Sequence, residues 1–575
     1  MISLINNRRC HSREAFQINR FNDPGKSIKD LLCQGFAPFG RILLKKVIIA
    51  PPFSWSSDPF QDRNWMYQLH GWRMLDAFFN RMVPSDVQFI GEVMADWWQF
   101  YKANPGSTPW FWYDMSTGLR ASKIAYLLFW CQANNQPIPL AEKVLQGLVN
   151  EHVAHLTNPE ELNHGNHGLS QLQGLVGLLA ALDKTGRTLP NQSAATEFAV
   201  SNMRSILLSQ LGEQGVHTED APDYHFFALS KIRQILEAPW WQRDDMADIH
   251  ALFDRAEVAK EWLVTPSMHC PPVGDSAEAV KLKRHTRLGQ WPHQVQEESM
   301  AAQLDGYGVV RSLPEVALAD SHYLFFQGSF HSSGHKHADC LSFVWQEGNR
   351  YRLWDSGKYG YQKDDMRAYF QSTRAHNTLE IDGKDFSRSK ADGYGSAIQE
   401  VAACAGGWLL SGKVFHKRLQ VTHQRILFYR PGIGVDVLDK VVNHTQAMRR
   451  YQLWWHLGEE TEVAVSGQSA NVLFQGEPDL VFSTASSVDC SPELSVFRGE
   501  EKPRLSGWIS REYLKFQPST CMSVGWESRE PERFFATCWR LASCPDVPPA
   551  FEVSPAGVQA DNPELSAKLT ALSVV

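Results

Sequence analysis

The 575-residue chain has no run of 18 or more apolar residues, so no membrane-spanning helix is expected. Its ten cysteines form no C-x-x-C pair and no regular spacing from Cys10 to Cys544, which argues against a disulfide framework and for free thiols. The chain also lacks an excess of positive charge: the formal net charge is -7, which excludes a general nucleic-acid binder. The opening MISLINNRRCHSREAF has no apolar core of the kind a secretory leader needs, so a cytoplasmic location is expected by default, with a periplasmic one as the alternative. Charged residues are only 21%, and 43% are hydrophobic, a balance suited to globular domains of which this length allows two to four.

Tryptophan is what the chain has in abundance. There are 20, and Trp55, Trp65, Trp72, Trp97, Trp98, Trp110, Trp112 and Trp130 crowd the first third. A large helical domain uses Trp as core filler, but an indole also offers a flat apolar face and one N–H, which suits the C–H face of a sugar. Apolar residues three and four apart predict helices from about 64 to 280, for instance the stripe Leu169, Leu172, Leu175, Val176, Leu179 and Leu182, with Gly186 as its stop. Helices in series joined by short polar loops predict helix pairs set in an arc or ring. After about residue 305 come short runs rich in Val, Phe, Tyr, Trp and Thr, broken by Gly, Asn and Asp, which predict a β-sandwich. The expected class is therefore multidomain α+β, divided as 1–50 (an N-terminal segment with a short strand over 43–50), 51–300 (helical) and 301–575 (β). The charged stretch Lys281 to Arg287 reads as solvated surface.

Three clusters of residues could carry chemistry. In His335-x-His337-x-Asp339 a strand would turn both imidazoles to one face, suiting a metal or an acid/base pair, although a polar strand edge has the same pattern. Asp355 and His376 follow, and two His with one Asp make a zinc-like set. A tight turn at EGNR, however, would put Asp355 opposite Ser342, five residues or roughly 17 Å along the strand from His337. In the helical half, Asn166 and His167 precede the Leu stripe; Asn166 could cap that helix, or the pair could bind a carboxylate. Tyr224-His225 opens another predicted helix, where a buried Tyr is commonly structural.

Taken together, HKHADCLSFVWQEGNRYRLWDSGKYGYQ and YFQSTRAHNTLEIDG resemble the heparinase II/III-like polysaccharide lyases, through H-x-H-x-D-x-L-S-F, D-x-G-x-Y and S-T-x-A-H-N-T in that order. Weaker matches are the Asn166-His167-Gly168 helix start, Tyr224-His225, WYDMSTGLR and Pro272-Val273-Gly274-Asp275. The resemblance implies an N-terminal incomplete (α/α) toroid followed by a C-terminal antiparallel β-sandwich. It implies a divalent metal, zinc by the nature of the ligands and mainly structural, held by His337, Asp355 and His376. It implies catalytic roles for Tyr224, His335, His167 and Asn166. Substrate contacts are expected from Arg120, Trp112, His225, Tyr359, Tyr361 and His456.

The implied activity is cleavage of a uronate-containing acidic polysaccharide by β-elimination, leaving a C4=C5-unsaturated uronate end. The residue types suit it. The uronate carboxylate opposes a carbanion at C5 and has to be neutralised, a base has to take the C5 proton, and an acid has to protonate the departing O4. A metal-dependent glycan hydrolase and a non-catalytic glycan-binding protein are the competing readings. The sparse Arg and Lys clustering favours a bacterial acidic glycan over a densely sulfated one. Self-association is left open.

Overall fold

The computed structural model describes residues 27–37, 45–277, 282, 284–488 and 491–574. It divides into two compact units, one of residues 1–210 with 230–251 and the other of 211–229 with 252–575. An N-terminal helical region is followed by an antiparallel β-rich region, the order of elements expected.

In the first unit the helices Asp114–Ala133 and Asn166–Lys184 lie in backbone contact. Two glycines permit this. A Cβ on Gly118 would fall 2.3 Å from the Ser170 carbonyl oxygen, and one on Gly174 would fall 2.2 Å from the Gly118 carbonyl oxygen. Helix Asn166–Lys184 is consequently buried from Gly168 to Leu179, well beyond the single stripe that periodicity predicts. It stops as expected: Thr185 is its cap, Gly186 takes φ +71°, and the Arg187 N–H returns 2.8 Å to the Leu182 carbonyl. Half of the early tryptophans (Trp55, Trp65, Trp72 and Trp97) are fully buried core, whereas Trp98, Trp110, Trp112 and Trp130 keep part of their surface.

The second unit is built on two large sheets. Six strands form an antiparallel meander: Gln294–Gln296, Ser299–Leu304, Tyr307–Ser312, His322–Gln327, Phe343–Glu347 and Arg350–Leu353. Eight more make a wider antiparallel sheet centred on Gly407–His416, Val421–Arg430, Gly434–Asn443 and Glu532–Leu541. The two pack face to face so closely that a Cβ on Gly308 would meet Leu410 and Val401 at 3.0 Å. Alternate residues explain the continuous apolar runs. Val310, Leu324, Phe326, Phe343 and Trp345 face the eight-stranded sheet's core. Val309, Tyr323, Phe325 and Val344 pack instead with Val258, Ala259, Trp262 and Leu263. An antiparallel sheet usually keeps one wet face; this one is covered on both, and each buried Val, Leu or Phe contributes about 1.5–3 kcal/mol.

All eight cysteines among the described residues are free thiols, and no helix there is long and apolar enough to cross a membrane. The strand expected over 43–50 lies partly outside the described residues. What is described of it makes one bridge, Phe36 to Val47. Of the Lys281–Arg287 stretch, Thr286 and Arg287 are tied down, their N–H groups each donating 2.7 Å to Glu261.

Candidate active site

The site in the second unit is organised by a carboxylate, Asp275. Its N–H donates 3.0 Å to the His335 carbonyl. Its side chain accepts from His335 Nδ1 (3.1 Å), His337 Nε2 (2.9 Å) and both terminal nitrogens of Arg367 (2.6 and 2.9 Å). Burial alone would raise its pKa, but the hydrogen bonds from His335, His337 and Arg367 reverse this and hold it far below the carboxylate range. Gly274 makes the approach possible: φ is +56°, and a Cβ would sit 2.9 Å from both the Asp220 and His335 carbonyl oxygens.

The H-x-H-x-D segment is not a strand. Residues 331–342 form an irregular loop between strands Ser329–Phe330 and Phe343–Glu347. The two imidazoles converge because one carboxylate gathers them, not because a pleat aligns them. This also removes the register conflict. The hairpin does turn tightly, with Glu347 opposite Arg350, but a bulge follows and the second strand ends at Leu353, so Asp355 lies beyond the ladder. Buried Asp220 anchors the loop, accepting from Ser329 Oγ (2.5 Å) and from the N–H groups of His331 and Ser332 (both 3.0 Å). His331 also lies 3.3 Å from Asp305. Burial would lower the His331 pKa, yet Asp220 and Asp305 outweigh it and raise it to about 9. A raised imidazole pKa stabilises fully below the unfolded value of about 6.5 and loses that contribution as pH climbs through the folded one. Urea unfolding should therefore show stability falling between about pH 7 and 9.5, a fall that His331→Gln flattens.

Tyr224 lies in the first turn of the helix Pro222–Leu236. Its ring stacks on His335 with centroids 3.4 Å apart and planes at 20°. Its hydroxyl lies 2.5 Å from that of Tyr361, whose half-exposed ring has the Arg367 guanidinium 5.3 Å from its centroid. Burial raises the Tyr224 phenol above its ordinary value, so it is neutral near pH 7. A carboxylate can only accept, so the His335 nitrogen facing Asp275 is an N–H, which in a singly protonated ring puts the lone pair on Nε2. Nε2 lies 3.4 Å from Glu219, whose carboxyl burial shifts towards the protonated form, an O–H that this lone pair can accept. A neutral phenol and an oriented imidazole, stacked, are a proton donor and a proton acceptor.

His376 Nδ1 donates 2.8 Å to Asp355, and the His337 and His376 rings are 5.3 Å apart. Two buried nitrogens here, His337 Nδ1 and His376 Nε2, have no hydrogen-bond partner. Among the described residues no ready-made set of three His, Cys, Asp or Glu surrounds a metal position; Asp355 is engaged with His376 and with the Gly357 N–H at 2.9 Å. The donor types and the two orphaned nitrogens nonetheless fit a divalent ion.

Several expected substrate contacts lie in the interior. His225 is buried, its nitrogens bonded to the His217 N–H (3.1 Å) and Ala256 carbonyl (2.9 Å), so it fixes helix Pro222–Leu236 and does not reach substrate. His456 is buried between Ser356 Oγ and the Arg374 carbonyl. Tyr359 is nearly buried, stacked on Phe370 with its hydroxyl donating to Asp364. Of this group only Tyr361 reaches Tyr224 from an exposed position.

In the first unit Arg120 is likewise corrected to a structural role. It is fully buried and donates to His152 Nε2 (3.0 Å), the His70 carbonyl (2.7 Å) and the Phe111 carbonyl (2.5 Å), with Trp97 and Trp112 rings 4.4 and 5.1 Å from its guanidinium. Arg120→Ala orphans these acceptors, so chemical denaturation should show a loss on the order of 3 kcal/mol, with KM unchanged in the folded fraction. Trp112 is half-buried and stacked on His155 at 4.1 Å. Asn166 does not cap its helix: Gly165 is the cap, and Asn166 is the first helical residue, with its side chain partly accessible. His167 Nδ1 is 3.0 Å from Asp114.

Asp275 stands in a visible Pro-Val-Gly-Asp motif and Asp114 within the WYDMSTGLR match, yet neither is among the expected site residues; Glu219 and Arg367, also unexpected, carry no local signature. The comparisons agree with this architecture. The heparinase II/III N-terminus matches residues 45–298, and the heparinase II/III-like C-terminal domain matches 296–527. Two solved structures are similar at 15% identity: a heparinase III with methylated lysines (TM-score 0.70, covering 92% of this chain and 86% of that one) and a mutant of the heparan sulfate lyase HepC from Pedobacter heparinus (0.69, 93% and 85%). Both share its fold. No curated protein matches. The chain belongs to the heparinase II/III-like family, and it is a polysaccharide lyase.

Proposed function

We propose that the protein cleaves a uronate-containing acidic polysaccharide by β-elimination, leaving a C4=C5-unsaturated uronate. The observation that carries this is the Tyr224–His335 stack with His335 oriented by Asp275. In this reading His335 Nε2 takes the C5 proton and Tyr224, neutral at the outset, protonates the departing O4. Neutralising the uronate carboxylate, so that charge can build at C5, is assigned on the family resemblance to Asn166 and His167, the first two residues of their helix. Trp112 and Tyr361 are assigned to sugar contacts. The test is ultraviolet absorbance of the unsaturated uronate over a panel of acidic polysaccharides. Reducing ends released without new absorbance would mean hydrolysis and overturn the mechanism.

We further propose that His337, Asp355 and His376 hold a divalent ion, zinc by donor type, supported by the two orphaned imidazole nitrogens. When bound, the ion supplies a cross-link between the 331–342 loop and the Asp355–His376 segment. Elemental analysis of purified protein should find close to one metal per chain, and a chelator should lower Tm by several degrees; His376→Ala should remove both the metal and the chelator effect.

A further inference from the structure

The second unit contains a cavity of about 530 Å³ apart from the Tyr224–His335 stack. It lies between the 383–394 segment and the turn that joins strands Gly407–His416 and Val421–Arg430. Its volume falls within the span typical of ligand sites, about 300–1,000 Å³. Four cations line it: Lys384, Arg388, Lys417 and Arg418. They face two carboxylates, both already engaged. Asp385 accepts 2.8 Å from the Thr373 N–H, and Asp392 accepts from Ser387 Oγ (2.6 Å) and pairs with Lys417 at 3.2 Å. Lys384, Arg388 and Arg418 make no direct ion pair among the described residues; the carboxylates whose charge reaches Arg388 and Arg418, Asp385 and Asp392, are the two already engaged. Arg388 is the informative one, since it is half-buried and a partly desolvated guanidinium with no hydrogen-bonded carboxylate is costly. Burial lowers its pKa, and it feels the charges of Asp385, Arg367, Asp275 and Asp339, so it lies within electrostatic range of the Asp275 hub. The wall is aromatic. Tyr394 turns its hydroxyl inward to Cys340 Sγ (2.9 Å) and leaves 38% of its surface open, and Phe415 is 48% exposed. Anion donors around an apolar ring face are what an acidic sugar requires.

We propose that this pocket binds an anionic sugar residue of the glycan, its carboxylate or sulfate taken by Arg388 and Arg418 with Lys384 in support and its C–H face laid on Tyr394. The inference rests on the polysaccharide reading above. It also changes the expectation drawn from sparse basic residues, because the cations come together from segments 30 residues apart, from Arg388 to Arg418.

The experiment is calorimetric titration of the Tyr224→Phe protein with four probes: a heparan sulfate tetrasaccharide, its desulfated N-acetylated counterpart, an oligomannuronate and neutral chitotetraose. An acidic probe should bind at least tenfold more tightly than chitotetraose. Arg388→Ala and Arg418→Ala, added singly, should each weaken that probe at least tenfold, leaving Tm and chitotetraose binding unchanged. Loss confined to the sulfated probe would identify a sulfate ester as the occupant, and equal loss on the unsulfated acids a carboxylate. The proposal is overturned if both variants bind the acidic probes as the parent does, or if no acid binds better than chitotetraose. Absorbance assays in the Tyr224-intact protein separate the two readings. Arg388-dependent binding without any unsaturated product removes the elimination chemistry and keeps the pocket. Unsaturated product with KM unchanged in Arg388→Ala does the reverse.

Discussion

Tyr224→Phe is expected to lower kcat by about 10²–10⁴-fold, the usual weight of one acid/base role, while leaving KM and Tm close to those of the parent. The change removes one oxygen from a half-buried ring and keeps the stack on His335. What it deletes is the proton donor 2.5 Å from the Tyr361 hydroxyl. The same variant divides the two proton transfers. If His335 is the base, the C5 proton of bound substrate should still exchange with deuterated water in Tyr224→Phe, measured by NMR, although cleavage has stopped. Exchange lost along with cleavage would make Tyr224 the base as well, with Tyr361 or His335 receiving its proton.

Asp275→Ala is expected to be the most damaging single change to the site. It strips the carboxylate from Arg367 and removes the acceptor of two imidazole N–H groups at once. Breaking one partner out of a buried ion pair costs about 3–5 kcal/mol, so urea denaturation should show a loss of that order. Activity should fall by about 10²-fold or more even where the variant is folded, because His335 loses the bond that selects its tautomer. Asp275→Asn keeps one acceptor oxygen but no charge, and should lie between the two in both measurements. Normal activity in folded Asp275→Ala would rule out His335 as an oriented base.

The sequence made the architecture legible because its periods are strong: helical before about 280, strand-like after 305. Site legibility varied residue by residue. Tyr224 and His335 were readable as a pair only through resemblance, since 111 residues separate them and no spacing rule connects an irregular loop to a helix start. Strand logic misplaced His337 because a carboxylate from elsewhere, Asp275, sets the loop's shape. Arg120, His225 and His456 looked available for substrate because polar side chains carry no mark of burial; their partners are mostly backbone carbonyls, to which a sequence gives no address. Asn166 misled in the opposite direction, since a cap position and a first helical position differ by one residue and the structure gives the cap to Gly165.

The six-stranded meander, covered on both faces, bears on how the chain could be divided. A polypeptide begun at residue 301 would keep the strands from Tyr307 onward yet uncover Val309, Tyr323, Phe325 and Val344, which now rest against Trp262 and its neighbours. Contiguous apolar patches of that kind drive self-association. The β half is therefore not a module that can be moved between proteins like a bead on a string. Any natural or engineered recombination would have to carry the Leu252–Leu304 stretch with it, so the seam at which this lineage can exchange parts lies well upstream of the point where strands begin.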